Sequence, residues 1–252
     1  MLRFIIVAVF VIGFLILSIP VFFVEWIIGK YNPGLRDRSS LRIVQGAFKI
    51  VIWLSGVRLT VIGEERIPKD TAVLFIGNHR SYFDIVLTYA RCTGLTGYVA
   101  KKEMLKIPLL SRWMKLLHCL FLDRTDIRAG LKTILEAIEL VKSGVSIMIF
   151  PEGTRGSAGS ELEMLPFHEG SFKIATKSGC PIIPVAINNS SALFEDHLPR
   201  IKPVPVTIEY GEPIYPKELP REEQKFLGRH VQELILDTLK RNAAPAVSTG
   251  RQ

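Results

Sequence analysis

The chain opens on an unbroken apolar stretch. Phe4 to Phe23 is 20 residues long and carries no charge, enough for a helix to match the hydrocarbon thickness of a bilayer. A second apolar stretch, Leu41 to Gly56, is interrupted by Arg42, Gln45 and Lys49, while Ile43, Ala47, Val51 and Leu54 recur at helical spacing. That pattern predicts an amphipathic helix at the membrane surface or packed on the domain, not one that spans. Residues 1–56 therefore read as a membrane-anchoring helical segment.

Beyond this segment the period shortens. Apolar, β-branched runs at Val57 to Ile62, Ala72 to Ile76, Gly97 to Ala100, Ser146 to Phe150, Ile182 to Ile187 and Val204 to Tyr210 predict strands. Cys119 to Leu122 reads as a further short one. Helical patterns lie between them. Ile127, Leu131, Ile134, Ile138 and Val141 form the clearest, with Asp126 placed as an N-cap and Gly144 as the stop. Ser171 to Lys177 is another, and a final helix from about Pro220 to Arg241 carries Phe226, Leu227, Val231, Leu234 and Ile235. The sum is an α/β fold, a mixed central sheet flanked by helices behind an N-terminal hydrophobic helical membrane anchor. Residues 57–241 form its domain, and the small, polar stretch 242–252 is expected to be disordered.

Composition narrows the partners. With 252 residues, 48% of them hydrophobic, the chain can bury one substantial core. The net charge of +8 points to an anionic partner: lipid headgroups, a phosphorylated substrate, an acidic carrier protein or nucleic acid. Beside a bilayer segment, membrane lipid fits best, and no nucleic-acid module is visible. Arg3 alone precedes the apolar stretch, whereas Lys30, Arg36, Arg38 and Arg42 follow it, which predicts a domain on the cytoplasmic side. A cleaved signal peptide is disfavoured, because no small-x-small site follows the apolar run. Cys92, Cys119 and Cys180 are odd in number and widely spaced, so they suggest small buried residues, not a disulfide framework or a metal site.

Candidate chemistry sits where strands end, as it does in α/β sheets generally. Asn78-His79-Arg80-Ser81-Tyr82-Phe83-Asp84 follows the second strand run. On one continuous helix His79 and Asp84 would point roughly 140° apart, so a turn over Gly77 to Ser81 must bring them together. The carboxylate can then hold one imidazole nitrogen and leave the other as a general base. Spacing alone does not decide this. His118 and Asp123 are equally far apart, but they flank an apolar strand run that sends them to opposite faces.

Phe150-Pro151-Glu152-Gly153-Thr154-Arg155 ends another strand run. Arg155 can take phosphate oxygens bidentately, Gly153 lets backbone amides approach an anion, and Glu152 can accept hydrogen bonds from glycerol hydroxyls. Lys101 and Arg124 bring cations to two more strand ends.

The residues 78–84, Leu120-Phe121-Leu122-Asp123-Arg124, Phe150 to Arg155 and Ile183-Pro184-Val185-Ala186-Ile187 stand in the order and spacing of four family blocks. By them the chain resembles the bacterial 1-acyl-glycerol-3-phosphate acyltransferases. The resemblance implies transfer of a fatty acyl group from an acyl carrier protein or coenzyme A thioester to the sn-2 hydroxyl of lysophosphatidic acid. Phosphatidic acid is the product, and no metal or further cofactor is implied. Carried over by position, His79 is the base and Asp84 its orienting partner. Lys101, Arg124 and Arg155 bind phosphate, Glu152, Gly153 and Thr154 line the acceptor site, and Ile183 to Ile187 line the donor region. His118 departs from the family's usual glycine, and His168 and Glu169 stand where lysines are common. Alternatives are an acyltransferase for another lyso-lipid, such as lyso-ornithine lipid or a lysophospholipid, and a non-catalytic lipid-binding membrane protein.

Overall fold

Seven strands form one sheet: β1 (Arg58–Ile62), β2 (Leu74–Gly77), β3 (Thr96–Lys101), β4 (Leu120–Leu122), β5 (Ser146–Ile149), β6 (Ile182–Asn188) and β7 (Pro205–Tyr210). Among the described residues eight α-helices accompany them: α1 (Leu2–Tyr31), α2 (Pro33–Ser55), α3 (Tyr82–Tyr89), α4 (Pro108–Leu116), α5 (Ile127–Lys142), α6 (Lys173–Ser178), α7 (Arg221–Gln224) and α8 (Leu227–Ala243). These come from a computed structural model, which describes residues 1–156 and 160–243. Strand order is β1-β7-β6-β2-β5-β3-β4. The neighbours β6, β2, β5, β3 and β4 are parallel, and β7 runs antiparallel to β6, so the sheet is mixed.

All four residues of β2 and all seven of β6 are buried. Strands covered on both faces read as continuous apolar runs, not alternating ones, as the sequence does here. One face packs Phe83, Leu87, Trp113 and Val185 together with Leu41 and Val44 of α2. The other packs Ile138 and Val141 of α5, Ile174 of α6 and Val231, Ile235 and Leu239 of α8 against Leu74, Ile76 and Ile147. The sheet is thus the middle of three layers.

Asp126 caps α5 through the amides of Arg128 and Ala129, and Gly144 lies beyond its end at φ 94°. The buried face of α5 is Thr133, Ala137, Ile138 and Val141. Ile127 and Leu131, part of the expected stripe, are exposed. The C-terminal helix is broken into α7 and α8 instead of running unbroken from Pro220, and the break lets Glu169 accept the backbone amide of Gly228. A carboxylate at a helix N-terminus is favourable, which gives the departure at Glu169 a structural use. Helix α8 continues through Asn242 and Ala243, and the rest of the tail expected to be disordered lies outside the described residues.

The N-terminal segment is a helical hairpin. Asn32 closes α1 by donating its backbone amide to Ile28, and its side chain accepts the amide of Leu35 to open α2, with Pro33 in the first turn. The second helix therefore starts earlier than Leu41, and it ends where Gly56 takes a left-handed conformation. It packs on the domain: Gln45 donates to the carbonyl of Cys92 at 2.7 Å, just beyond the end of α3. Helix α1 has a mean hydropathy of 3.0 over its most apolar window, with 11% of that window buried. It is long and apolar enough to cross a membrane. It is also held along its length, by Phe4 stacked on Phe194, Ser18 accepting the indole N–H of Trp113 at 2.8 Å, and Glu25 accepting Ser39.

Candidate active site

Strands β2, β5, β3 and β4 are parallel neighbours, so their carboxyl ends lie along one edge of the sheet. That edge collects His79 after β2, Phe150 to Arg155 after β5, Lys101 at the end of β3 and Arg124 after β4. Lys101 is in register with Leu122, so Lys101 and Arg124 leave neighbouring strands at nearly the same level. Both are exposed.

Asn78, fully buried, both donates to the carbonyl of Ile187 and accepts its amide, at 2.9 and 2.8 Å, which ties the end of β2 to β6. The turn ends at Ser81, whose side chain caps α3, while Asp84 returns the contact to the Ser81 amide in a capping box. The capping geometry makes the pair: one oxygen of Asp84 accepts the amides of Arg80 and Ser81 and also meets Nδ1 of His79 at 2.8 Å. With Asp84 inaccessible to solvent, the ring is oriented by a fixed acceptor. His79 stacks on Phe150 at 4.2 Å between ring centres, and no described residue hydrogen-bonds its Nε2. A neutral imidazole with Nδ1 protonated presents a lone pair at Nε2 and can accept a proton there.

The loop after β5 grips the histidine turn from the other side. Gly156 donates its amide to the carbonyl of His79 at 2.9 Å. Glu152, expected to accept glycerol hydroxyls, has two partners within the protein. It is buried, one oxygen accepts the amide of His79 at 3.0 Å, and the other accepts the amide of Leu165 at 2.9 Å. Both oxygens are engaged by the protein, so Glu152 braces the turn. Burial pushes its carboxyl above the ordinary value, outweighing the two amides and the nearby Arg80 and His79. Gly153 has φ 74°, and a Cβ there would lie 3.6 Å from the Arg124 guanidinium carbon and 3.4 Å from Nε2 of His168. Thr154 is exposed beside it. Arg155 lies over the ring of Tyr82, 3.7 Å from its centre, donates to its hydroxyl at 3.0 Å and meets Glu195 at 3.4 Å.

One expectation changes. Ile183 to Ile187 lie within β6, buried between β2 and β7, and a strand covered on both faces lines no substrate surface. His118 and Asp123 do not pair, as expected, but each has another partner: His118 meets Asp37 of α2 at 2.9 Å, and Asp123 binds Lys102. His118 has φ 57°, a conformation that suits glycine, the residue the resemblance leads one to expect there. Phe150, Tyr82 and Glu195 were not singled out in the sequence. Phe150 had a signal in its place at a strand end, but Glu195 sits in an irregular connection after β6 that carries no periodic pattern.

Among proteins similar to this chain is the 1-acyl-sn-glycerol-3-phosphate acyltransferase of Cocos nucifera, 31% identical over 81% of this chain and 65% of that protein. The enzyme of the same name from Borreliella burgdorferi is 34% identical over 62% of each. The chain thus spans a little under two thirds of these two relatives. A crystal structure of the 1-acyl-sn-glycerophosphate (LPA) acyltransferase PlsC from Thermotoga maritima matches with a TM-score of 0.80 and 27% identity, over 97% of this chain and 95% of that one. The family model described as Acyltransferase covers residues 58–188, more than half of the chain, and the chain belongs to that family.

Proposed function

We propose that this protein transfers a fatty acyl group from an acyl thioester, carried by acyl carrier protein or coenzyme A, to the sn-2 hydroxyl of 1-acyl-glycerol-3-phosphate. The products are phosphatidic acid and a free thiol. The observation that carries this reading is the imidazole of His79, oriented by buried Asp84 through Nδ1 and open at Nε2. Nε2 takes the hydroxyl proton as the acceptor oxygen adds to the thioester carbonyl, and Asp84 stabilises the imidazolium. The tetrahedral intermediate then expels the thiolate, which recovers the proton. No acyl-enzyme is required. A positioned base supplies about 10² to 10⁴ in rate.

Lys101, Arg124 and Arg155 supply the charge for the acceptor phosphate, and Gly153 lets backbone amides approach it. Glu152 acts by holding the backbone of His79, not by touching the acceptor. Residues 57–241 are the acyltransferase domain. The hairpin before it associates with the membrane on the cytoplasmic side, with the exposed apolar face of α1, including Ile5, Val9, Ile12, Ile16 and Phe23, in the lipid. Its attachments at Phe4, Ser18 and Glu25 favour a helix lying along the domain. An acyl chain gains about 0.8 kcal/mol per methylene buried in lipid, so an acceptor presented from the membrane need not be extracted into water.

The test is to supply the purified protein with a panel of lyso-lipids and both thioester donors and identify products by mass. Phosphatidic acid from 1-acyl-glycerol-3-phosphate is expected. Preference for lyso-ornithine lipid or a lysophospholipid would replace the acceptor, and absence of thiol release with every acceptor would end the enzymatic reading.

A further inference from the structure

We propose that Glu195 is a positioning residue for Arg155, holding its guanidinium ready for the acceptor phosphate before the lipid arrives. This rests on the reading that Arg155 takes that phosphate. Glu195 comes from the connection between β6 and β7, on the same edge of the sheet as the ends of β2 and β5.

One oxygen of Glu195 accepts the backbone amide of Tyr82 at 2.7 Å and meets Arg155 at 3.4 Å, while Tyr82 supplies both its hydroxyl and the face of its ring to the same guanidinium. Arg155 is therefore held from two sides and along one face. An arginine has five N–H donors in a planar fork, and these contacts use two of them. Three donors are left by these contacts, and an anion can take them without the side chain having to leave its seat. A long side chain already ordered loses less freedom when ligand binds, so the same contacts give tighter binding.

The other oxygen of Glu195 is buried with no partner among the described residues. A buried carboxylate oxygen without a donor costs stability, and the N-terminus of α3 already has caps in Ser81 and Asp84. Glu195 adds to them by accepting the amide of Tyr82 in the first turn. Its single ion pair among the described residues is with Arg155, so Glu195 joins the start of α3 to that guanidinium.

Acceptor saturation curves with 1-acyl-glycerol-3-phosphate and acyl-coenzyme A test this for the wild type, Glu195→Ala, Arg155→Ala and the double variant. Glu195→Ala should raise the acceptor KM about tenfold, the loss of a charge-assisted contact, with a much smaller change in kcat. In the Arg155→Ala background the same change should do nothing further, because its effect passes through Arg155. Glu195→Gln keeps the acceptor oxygen for Tyr82 and Arg155 but loses the charge, so it should restore part of the KM. If Glu195→Ala does not fold, Glu195→Gln carries the test, with a smaller KM rise that is likewise absent without Arg155.

Equal effects of Glu195→Ala with and without Arg155, or a loss confined to kcat and thermal stability, would overturn the proposal and leave the role of Arg155 standing. An unchanged acceptor KM in Arg155→Ala would remove that role, and the proposal with it.

Discussion

Two histidines of this chain each bind a carboxylate at nearly the same distance, His79 to Asp84 at 2.8 Å and His118 to Asp37 at 2.9 Å. Their surroundings differ. Asp84 is fixed by two backbone amides at the start of α3, so the carboxylate is in place whether or not the imidazole is there. Asp37 also holds its neighbour Arg36, and it lies on the N-terminal hairpin, so its pair with His118 ties α2 to the strand entering β4. The first histidine is held through Nδ1, with Nε2 facing no described partner. The second is held through Nε2. A histidine–carboxylate contact is therefore not a catalytic signature by itself. The nitrogen left over, and the chemistry around it, decide.

The sharpest way to break this contrast is to remove each ring in turn. His79→Ala should lower turnover by about 10² to 10⁴ with thermal unfolding little changed, whereas His118→Ala should lower the unfolding temperature and leave turnover near the wild type. Loss of turnover in both, or in neither, would make the two pairs equivalent.

The bracing of His79 can be loosened without touching its ring. Glu152→Gln offers one acceptor where two amides need one each, so stability should fall by about 1–3 kcal/mol for the buried amide left unmatched. Denaturant titration reads the stability, and kcat should drop as the turn relaxes. A fully active variant of wild-type stability would show that these two bonds do not hold the turn.

On the other side of the comparison, His118→Gly and His118→Ala both lose the bond to Asp37, but only glycine relieves the left-handed backbone. The glycine variant should be the more stable by about 1 kcal/mol, measured as the difference between their unfolding midpoints. Gly97 belongs to the same corner, since a Cβ there would lie 2.2 Å from the carbonyl oxygen of His118. Alanine at Gly97 should disturb β3 and β4 for that reason.

The smallest effect concerns Asp123, the carboxylate that spacing offered to His118. The bond from Lys102, helped by Thr125, lowers the Asp123 carboxyl from 3.8 to about 2. A carboxyl lowered in the folded state contributes stability that is present above its ordinary value and is lost as the pH falls through the folded one. The wild type should therefore lose a little unfolding temperature between about pH 4 and pH 2, and Asp123→Asn should flatten that part of the curve. Lys102 is exposed and Asp123 half-buried at the surface, so screening by salt should shrink the difference.

Much of the fold was legible because burial on both faces leaves a plain mark. Ala72 to Ile76 and Ile182 to Ile187 are continuous apolar runs, and they became the central strands β2 and β6. Asp126 and Gly144 marked the limits of α5 because a cap and a left-handed stop are local devices. His79 and Asp84 were legible for a related reason: the pair is made within one turn and the first turn of one helix. The bracing by Glu152 was not legible, since its two amide partners come from His79 and Leu165, and composition of a loop says nothing about which way a carboxylate faces. The block Ile183 to Ile187 was assigned to a substrate surface for want of the sheet order that buries it.

By itself the sequence determined what depends on neighbours in the chain: where helices cap, which runs are buried on both sides, and which histidine has a carboxylate in its own turn. The tertiary structure decided what depends on strand order and crossover connections. It brought Lys101, Arg124, Arg155 and Glu195 to one edge of the sheet, gave His118 to Asp37 and turned Glu152 inward. Side chains far apart in sequence meet only when parallel strands place their ends side by side, and no local periodicity records that order.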